Sequence, residues 1–262
     1  MIDAKTDFLY IPLVVVLWEH TNGRGRKRQF INNQPILDQG NASRRLSGAN
    51  FNDVTNSVAV YRGPNYLDWK NQFENKGFEP YVALYQDSDY RSGSRSPLVF
   101  GPGFYTDLSK FGFDNMASSI EFLCLDQPPN YVPGALVTPD GPELGWMSDI
   151  PIVLNLHTAS LARTQSGAEA DNVITVVEPI HDIRSQYGEE FYHRVSRVEV
   201  LKGPNWNVTY SAMLHSDTTS ETMNLRAPTD NDLTNTYNDI LSSISIKSEK
   251  LIFTGSPVKP HF

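Results

Sequence analysis

A ten-residue pattern that recurs along the chain constrains its fold more than any other feature. Residues 113–122 read FDNMASSIEF, residues 237–246 read YNDILSSISI, and residues 51–60 read FNDVTNSVAV. Each is an aromatic, two Asn or Asp residues, two variable residues, two small polar residues, then apolar residues at alternate positions. Asn and Asp tolerate left-handed backbone and bond to their own main chain, which suits a tight arch. The alternation after the arch has the period of a half-buried strand. A single copy would read as a surface turn entering a strand. Three copies, each closing a similar segment, read as an internal repeat. Each arch also gathers hard oxygen atoms, the ligands a calcium ion takes.

The 262 residues allow one large domain or two of ordinary size, and 39% hydrophobic content suffices for packed cores. A formal net charge of -8 and a pI near 5.2 argue against nucleic-acid or anionic-membrane partners. The local exception is Arg24, Arg26, Lys27 and Arg28, which read as the solvated basic face of a hairpin rather than a phosphate site. Cys124 is the single cysteine, so no intrachain disulfide can form, and its FLCL setting reads as a buried thiol. The apolar run at residues 8–18 is too short to span a bilayer and lacks a basic leader, so it reads as a buried strand, and a cytoplasmic location is expected.

Taken in order, the first arch at Asn52-Asp53 leads into a strand from Val58 to Tyr61, and a second cycle starts at Tyr81 and ends in the arch at Asp114-Asn115. Residues 126–149 contain Pro128, Pro129, Pro133, Pro139 and Pro142 and read as a linker between a domain at 1–125 and another at 150–262. The pattern then restarts. VLWEHT at residues 16–21 matches VLNLHT at 153–158, which pairs Trp18 with Asn155 and His20 with His157. VYRGPNY at 60–66 matches VLKGPNW at 200–206. Tyr81 to Leu84 match Ser211 to Leu214 more loosely. The chain is thus two halves of two units each, and many short strands with regular turns predict an all-β sandwich. A helix could be drawn through residues 116–125 or 240–251, but the repeated arch-then-strand context favours strands there.

These residues resemble the βγ-crystallin superfamily, most closely its two-domain microbial type, of which the fungal abundant perithecial proteins are an example. The resemblance implies two Greek-key sandwich domains with four Greek-key motifs in tandem. It rests on the arch pattern N/D-N/D-x-x-S/T-S and on hairpin aromatics such as Tyr85 and Tyr90, followed by Gly93 one residue late. In unit one Trp18 and Gly25 match, with Gly23 at the second aromatic position, and unit four has His215 at the first. The likeness is strong over residues 13–123 and weaker over 150–246.

In that family the paired arches of a domain form calcium sites from arch side chains, arch carbonyls and a carbonyl of the partner hairpin. The resemblance therefore makes Asn52, Asp53, Asn56, Asp114, Asn115, Ser118, Asn238, Asp239 and Ser242 the candidate metal ligands. The second arch, residues 114–119, and the fourth, residues 238–243, fit throughout, whereas the first has Asn56 where Ser or Thr is expected. The third, YHRVSR at 192–197, lacks both acidic or amide positions and carries Arg194 and Arg197, whose charge opposes a cation. Calcium is expected at the N-terminal domain more than at the C-terminal one. No hydrolase motif, phosphate loop or C-x-x-C is present, and the six histidines show no metal-ligand spacing. The expectation is a non-enzymatic structural or stress-related protein. The alternative is a calcium-dependent binding module for carbohydrate or a cell-surface partner.

Overall fold

The computed structural model describes residues 11–31, 46, 51–73, 79–125, 131–132, 150, 152–158, 172–202, 208–220, 222–226, 229–233 and 240–250. Most of the span expected as a linker and the arch residues Asn238 and Asp239 lie outside these residues.

The chain opens with β1 (Leu13–His20) and β2 (Arg24–Ile31), joined by a tight turn, then passes through the first arch into β3 (Ser57–Arg62) and the short helix α1 (Tyr66–Phe73). The second unit holds β4 (Glu79–Tyr85), β5 (Leu98–Phe100), β6 (Gly103–Tyr105) and, after the second arch, β7 (Ser119–Leu125). A two-residue strand, β8 (Tyr131–Val132), runs parallel to β5 from within the expected linker span. The second half begins with β9 (Ile152–Thr158), β10 (Asn172–Val176), α2 (Ile183–Tyr187) and β11 (Val195–Lys202). It ends with β12 (Val208–Ser216), β13 (Thr222–Arg226), β14 (Thr229–Asp232) and β15 (Leu241–Lys250).

Strand pairing defines the architecture. One sheet runs β14-β11-β9-β10-β2-β1-β3-β6, and two smaller sheets run β13-β12-β15 and β7-β4-β5-β8. In each half, units exchange a strand: β6 of unit two pairs with β3 of unit one, and β14 of unit four pairs with β11 of unit three. The reciprocal exchange is shorter. Leu46 donates its N–H to the Ser118 carbonyl at 2.8 Å, and Ile180 exchanges two 2.9 Å bonds with Ile244 of β15. Each half is therefore a pair of interlocked Greek keys, and neither unit can complete its sheets alone. The two residue stretches for which a helix could be drawn carry the strands β7 and β15.

The alternation expected of half-buried strands holds. Leu13, Val15 and Leu17 of β1 and Ile120 and Phe122 of β7 enter the core of the first half, with Trp69, Phe100 and Phe113. Ile152, Leu154 and Leu156 of β9 enter that of the second, with Tyr187, Phe191 and Val198. The opposite faces are apolar too where the halves dock, at Val14 of β1 and Val153 of β9. Ile11, Val14, Ile31, Ile150, Val153 and Val177 form a buried seam between them.

That seam is nearly symmetric. Val14 pairs with both Ile31 and Tyr61, and Val153 pairs with Leu201 in the equivalent ladder. Gln29 of β2 pairs with Thr175 of β10, two residues before Ile31 and Val177 respectively, so the pseudo-two-fold axis passes between equivalent residues. Fully burying one aliphatic side chain contributes about 1.5–3 kcal/mol, whereas an exposed ion pair contributes ~0–1 kcal/mol. The apolar seam, not surface charge, holds the halves together.

The basic run needs correction. Arg28 is 1% exposed, with its guanidinium over the rings of Phe51 at 5.2 Å and Phe191 at 5.0 Å, equivalent residues at the heads of the first and third arches. It bonds Glu190 at 3.0 Å, Arg26 bonds Glu19 and Glu190, and Lys27 pairs with Glu178. From Arg26 to Arg28 the run is a fastener between the halves rather than a solvated face, because Glu178 and Glu190 of the second half meet it, while Arg24 stays exposed. Two helices were not expected. In α1, Tyr66 and Trp69 lie three apart and bury one face. In α2, Asp182 caps the first turn by accepting from Arg184 N at 2.9 Å, and Gly188 at φ +104° follows the last.

The repeat register is also corrected in unit three. Trp18 stands opposite Ser57, the last arch residue of unit one, and His157 stands opposite Arg197, the last arch residue of unit three. His157, not Asn155, therefore occupies the place of Trp18, and His20 and His157 are not equivalent. The matching VL and HT letters are two residues out of step with the strand ladder.

Candidate functional site at the paired arches

In the first half the arches at residues 52–57 and 114–119 face each other across a local two-fold. Asp53 N donates to the Ala117 carbonyl at 2.9 Å, and Asn115 N donates to the Thr55 carbonyl at 3.3 Å. Asp53 and Asn115 hold φ of +54° and +49°. That left-handed position explains why Asp and Asn stand second in these two arches, since such side chains tolerate it best.

The sixth arch residue pins the neighbouring hairpin. Ser57 Oγ donates to the His20 carbonyl at 2.7 Å and accepts from Gly23 N at 3.1 Å. Ser119 Oγ does the same with the Asp87 carbonyl at 2.7 Å and Tyr90 N at 3.2 Å. The hairpin aromatics of unit two meet as expected, with the Tyr85 and Tyr90 rings 5.8 Å apart. Unit one has Gly23 in place of the second ring. Phe104 of the partner unit packs there instead, edge-on to Trp18 at 5.8 Å.

The fifth arch residue is where the candidate site lies. Ser118 Oγ, nearly buried, donates to Asp53 Oδ1 of the opposite arch at 3.0 Å. Its N–H is fixed to the Tyr85 carbonyl at 2.9 Å. At the equivalent position, Asn56 N is fixed to the Trp18 carbonyl at 2.9 Å. Its side-chain amide donates to the Glu19 carbonyl at 2.8 Å and to Asn115 Oδ1 at 3.1 Å. Of the first arch residues, Asn52 is exposed and donates to Asp53 Oδ2, and Asp114 is exposed.

A hydroxyl and a carboxylate converging across two rigid arches fit a calcium ion, which takes oxygen ligands with carbonyls completing the shell. Among the described residues no group of three His, Cys, Asp or Glu side chains could hold a metal. Any ion here would rely on Ser118, Asp53 and main-chain carbonyls. By the local symmetry the Gln86 carbonyl corresponds to the Glu19 carbonyl.

The third arch keeps the arch backbone and replaces its chemistry. His193 stands second in the third arch with φ +56°, and its N–H meets the Leu241 carbonyl at 3.3 Å, as Asp53 meets Ala117. Its imidazole Nε2 lies 2.8 Å from Asp217 Oδ1, its ring stacks on Tyr192 at 3.9 Å, and the Tyr192 hydroxyl also bonds Asp217. The Tyr192 hydroxyl, then the His193 imidazole, hold the Asp217 carboxyl below the ordinary range. Arg197 forks onto Asp230 through two 2.7 Å bonds. Ser242 is committed to the His215 carbonyl at 3.1 Å. Nitrogen donors thus occupy the third arch, which does not fit a cation.

The sequence reading missed Asp217 and Tyr192 at this position, and it missed Glu178 and Glu190 at the seam. The hairpin role of Ser57 and Ser119 carried a signal, since Ser closes three of the four arches.

Neither a protein-family model nor a curated protein matches the sequence. Among solved structures, a βγ-crystallin from Ciona intestinalis is 18% identical, covering 41% of this chain and 96% of its own, with a TM-score of 0.28. A βγ-crystallin from an archaeon is 21% identical over 42% of this chain and 98% of its own, with a TM-score of 0.27. A structure titled for the evolution of the eye-lens βγ-crystallin domain fold is 17% identical over 46% of this chain and 93% of its own, with a TM-score of 0.29. The strand pairing itself carries the fold. Each half is built of two interlocked Greek keys, so the chain is an all-β protein of two such halves.

Proposed function

We propose that this chain is a non-enzymatic, crystallin-like structural protein, suited to a stress-related role, whose first half binds calcium at its paired arches. The observation that carries the calcium reading is the 3.0 Å contact between Ser118 Oγ and Asp53 Oδ1, made by arches whose backbones are tied to each other. Ser118, Asp53 and neighbouring carbonyls would hold the ion. Its charge would offset the Asp53 carboxylate and bridge the two arches. One carboxylate in the set implies modest affinity. The structural reading rests on two packed cores and a buried seam, which need no ion to form.

Thermal unfolding of the full chain with millimolar calcium and with chelator tests this. A ligand at 100 times its Kd stabilises the folded state by about 2.7 kcal/mol, which raises Tm by several degrees. Ser118→Ala should remove that shift, and Ser196→Ala in the third arch should keep it. Unfolding in chelator at ordinary temperature would point instead to an ion-gated module. The same Tm in both buffers would leave the arches as folding elements alone.

A further inference from the structure

We propose that Asn56 is a built-in substitute for a cation. Its amide fills one of the two arch sites of the first half, so that half takes one calcium ion, at Asp53 and Ser118, rather than two. The inference rests on the calcium reading above and adds which site is closed and by what.

The two fifth positions have the same backbone setting, since Asn56 N and Ser118 N each bond the carbonyl of the hairpin residue opposite the sixth arch position. Only the side chains differ. The hydroxyl of Ser118 donates one hydrogen and keeps lone pairs for an ion. The amide of Asn56 presents its nitrogen to the Glu19 carbonyl at 2.8 Å and to Asn115 Oδ1 at 3.1 Å. A main-chain carbonyl can only accept, so this contact fixes which end of the amide faces inward. The two oxygens a cation would take are already satisfied by N–H groups.

Turning the amide over to admit an ion would break both bonds and leave its NH2 where Oδ1 now lies, buried with no hydrogen-bond partner. The resulting set of Glu19 carbonyl, Asn56 and Asn115 holds no carboxylate, whereas the other site has Asp53. Affinity for calcium falls as charged ligands are lost from the set. The Glu19 carboxylate cannot make up the deficit, because Arg26 Nε and Nη2 hold it at 3.0 Å each.

Calorimetric titration of the full-length protein with calcium chloride tests the proposal. Wild type should bind one ion, Asn56→Ser two, Asn56→Asp two with the second at least tenfold tighter than in Asn56→Ser, and Ser118→Ala none. In chelator, Asn56→Ser should melt below wild type, because Glu19 O and Asn115 Oδ1 lose their donor, and calcium should restore it. Two ions in wild type, or no added ion in either folded Asn56 variant, would overturn the proposal. If wild type binds none while Asn56→Ser binds one, the plug stands and the Asp53–Ser118 site falls. If Ser118→Ala loses the wild-type ion but neither Asn56 variant gains one, the site stands and the plug falls.

Discussion

Arg28 is the residue on which the largest single effect should fall. Burial is the chief cause that pulls its guanidinium down to about 10, with Glu190 opposing, so it remains charged at neutral pH. Arg28→Ala should destabilise the chain by about 3 kcal/mol in urea unfolding, because it empties the space between the rings of Phe51 and Phe191, while Glu190 keeps its bond to Arg26. Arg28→Met should cost less, since it keeps the volume. None of this was legible in the sequence. A run of Arg and Lys looks solvated unless one knows that Glu178 and Glu190, some 150 residues later, come to meet it. Tyrosines give the pH dependence. Burial first, then Glu178, pushes Tyr61 up to about 12, and burial also raises Tyr85 and Tyr187. The fold holds these phenols protonated while the unfolded chain releases them near pH 10. Their contribution is complete below pH 10 and is lost as pH rises towards 12. Stability measured against pH should fall over that window, and Tyr61→Phe should make the fall shallower.

Among the elements, the arches were legible because their chemistry is local. A left-handed second residue recurs in the first three arches, and a serine pin stands sixth in the first two. The pin can be tested. Ser57 and Ser119 are fully buried and each ties one carbonyl and one N–H of a hairpin. Leaving such groups unpaired costs about 1–3 kcal/mol, so Ser57→Ala and Ser119→Ala should each lower stability by that much in chemical denaturation. The short reciprocal contacts of units one and three were illegible for a physical reason. Leu46 and the Ile180 bridge are held by one or two bonds to a distant strand, with no local period to announce them. The helices α1 and α2 have eight and five residues. Helices that short are marginal on their own and form because packing fixes them. The repeat register failed in unit three because four shared letters outweighed a pairing that no sequence displays.

At the scale of the molecule, the two halves share one continuous sheet about a pseudo-two-fold axis at Gln29 and Thr175, and each keeps a smaller sheet of its own. A trace of this was present in LVVVL of β1, which is apolar on both faces and so implies cover on both. Gln29 reaches across, accepting from Val177 N at 2.9 Å and donating to Glu178 at 3.1 Å. Wild type should unfold in one calorimetric transition, and Gln29→Ala, which strips a buried N–H of its partner, should broaden it or split it in two. What the halves would not share is the ion chemistry, which we propose for the first arch pair alone. Hydrogen–deuterium exchange of the full chain, with calcium and with chelator, tests that most directly. Calcium should slow exchange at residues 52–57 and 114–119 and leave residues 192–197 and 240–243 unchanged. No change at the first pair, or equal protection at the second, would contradict the account.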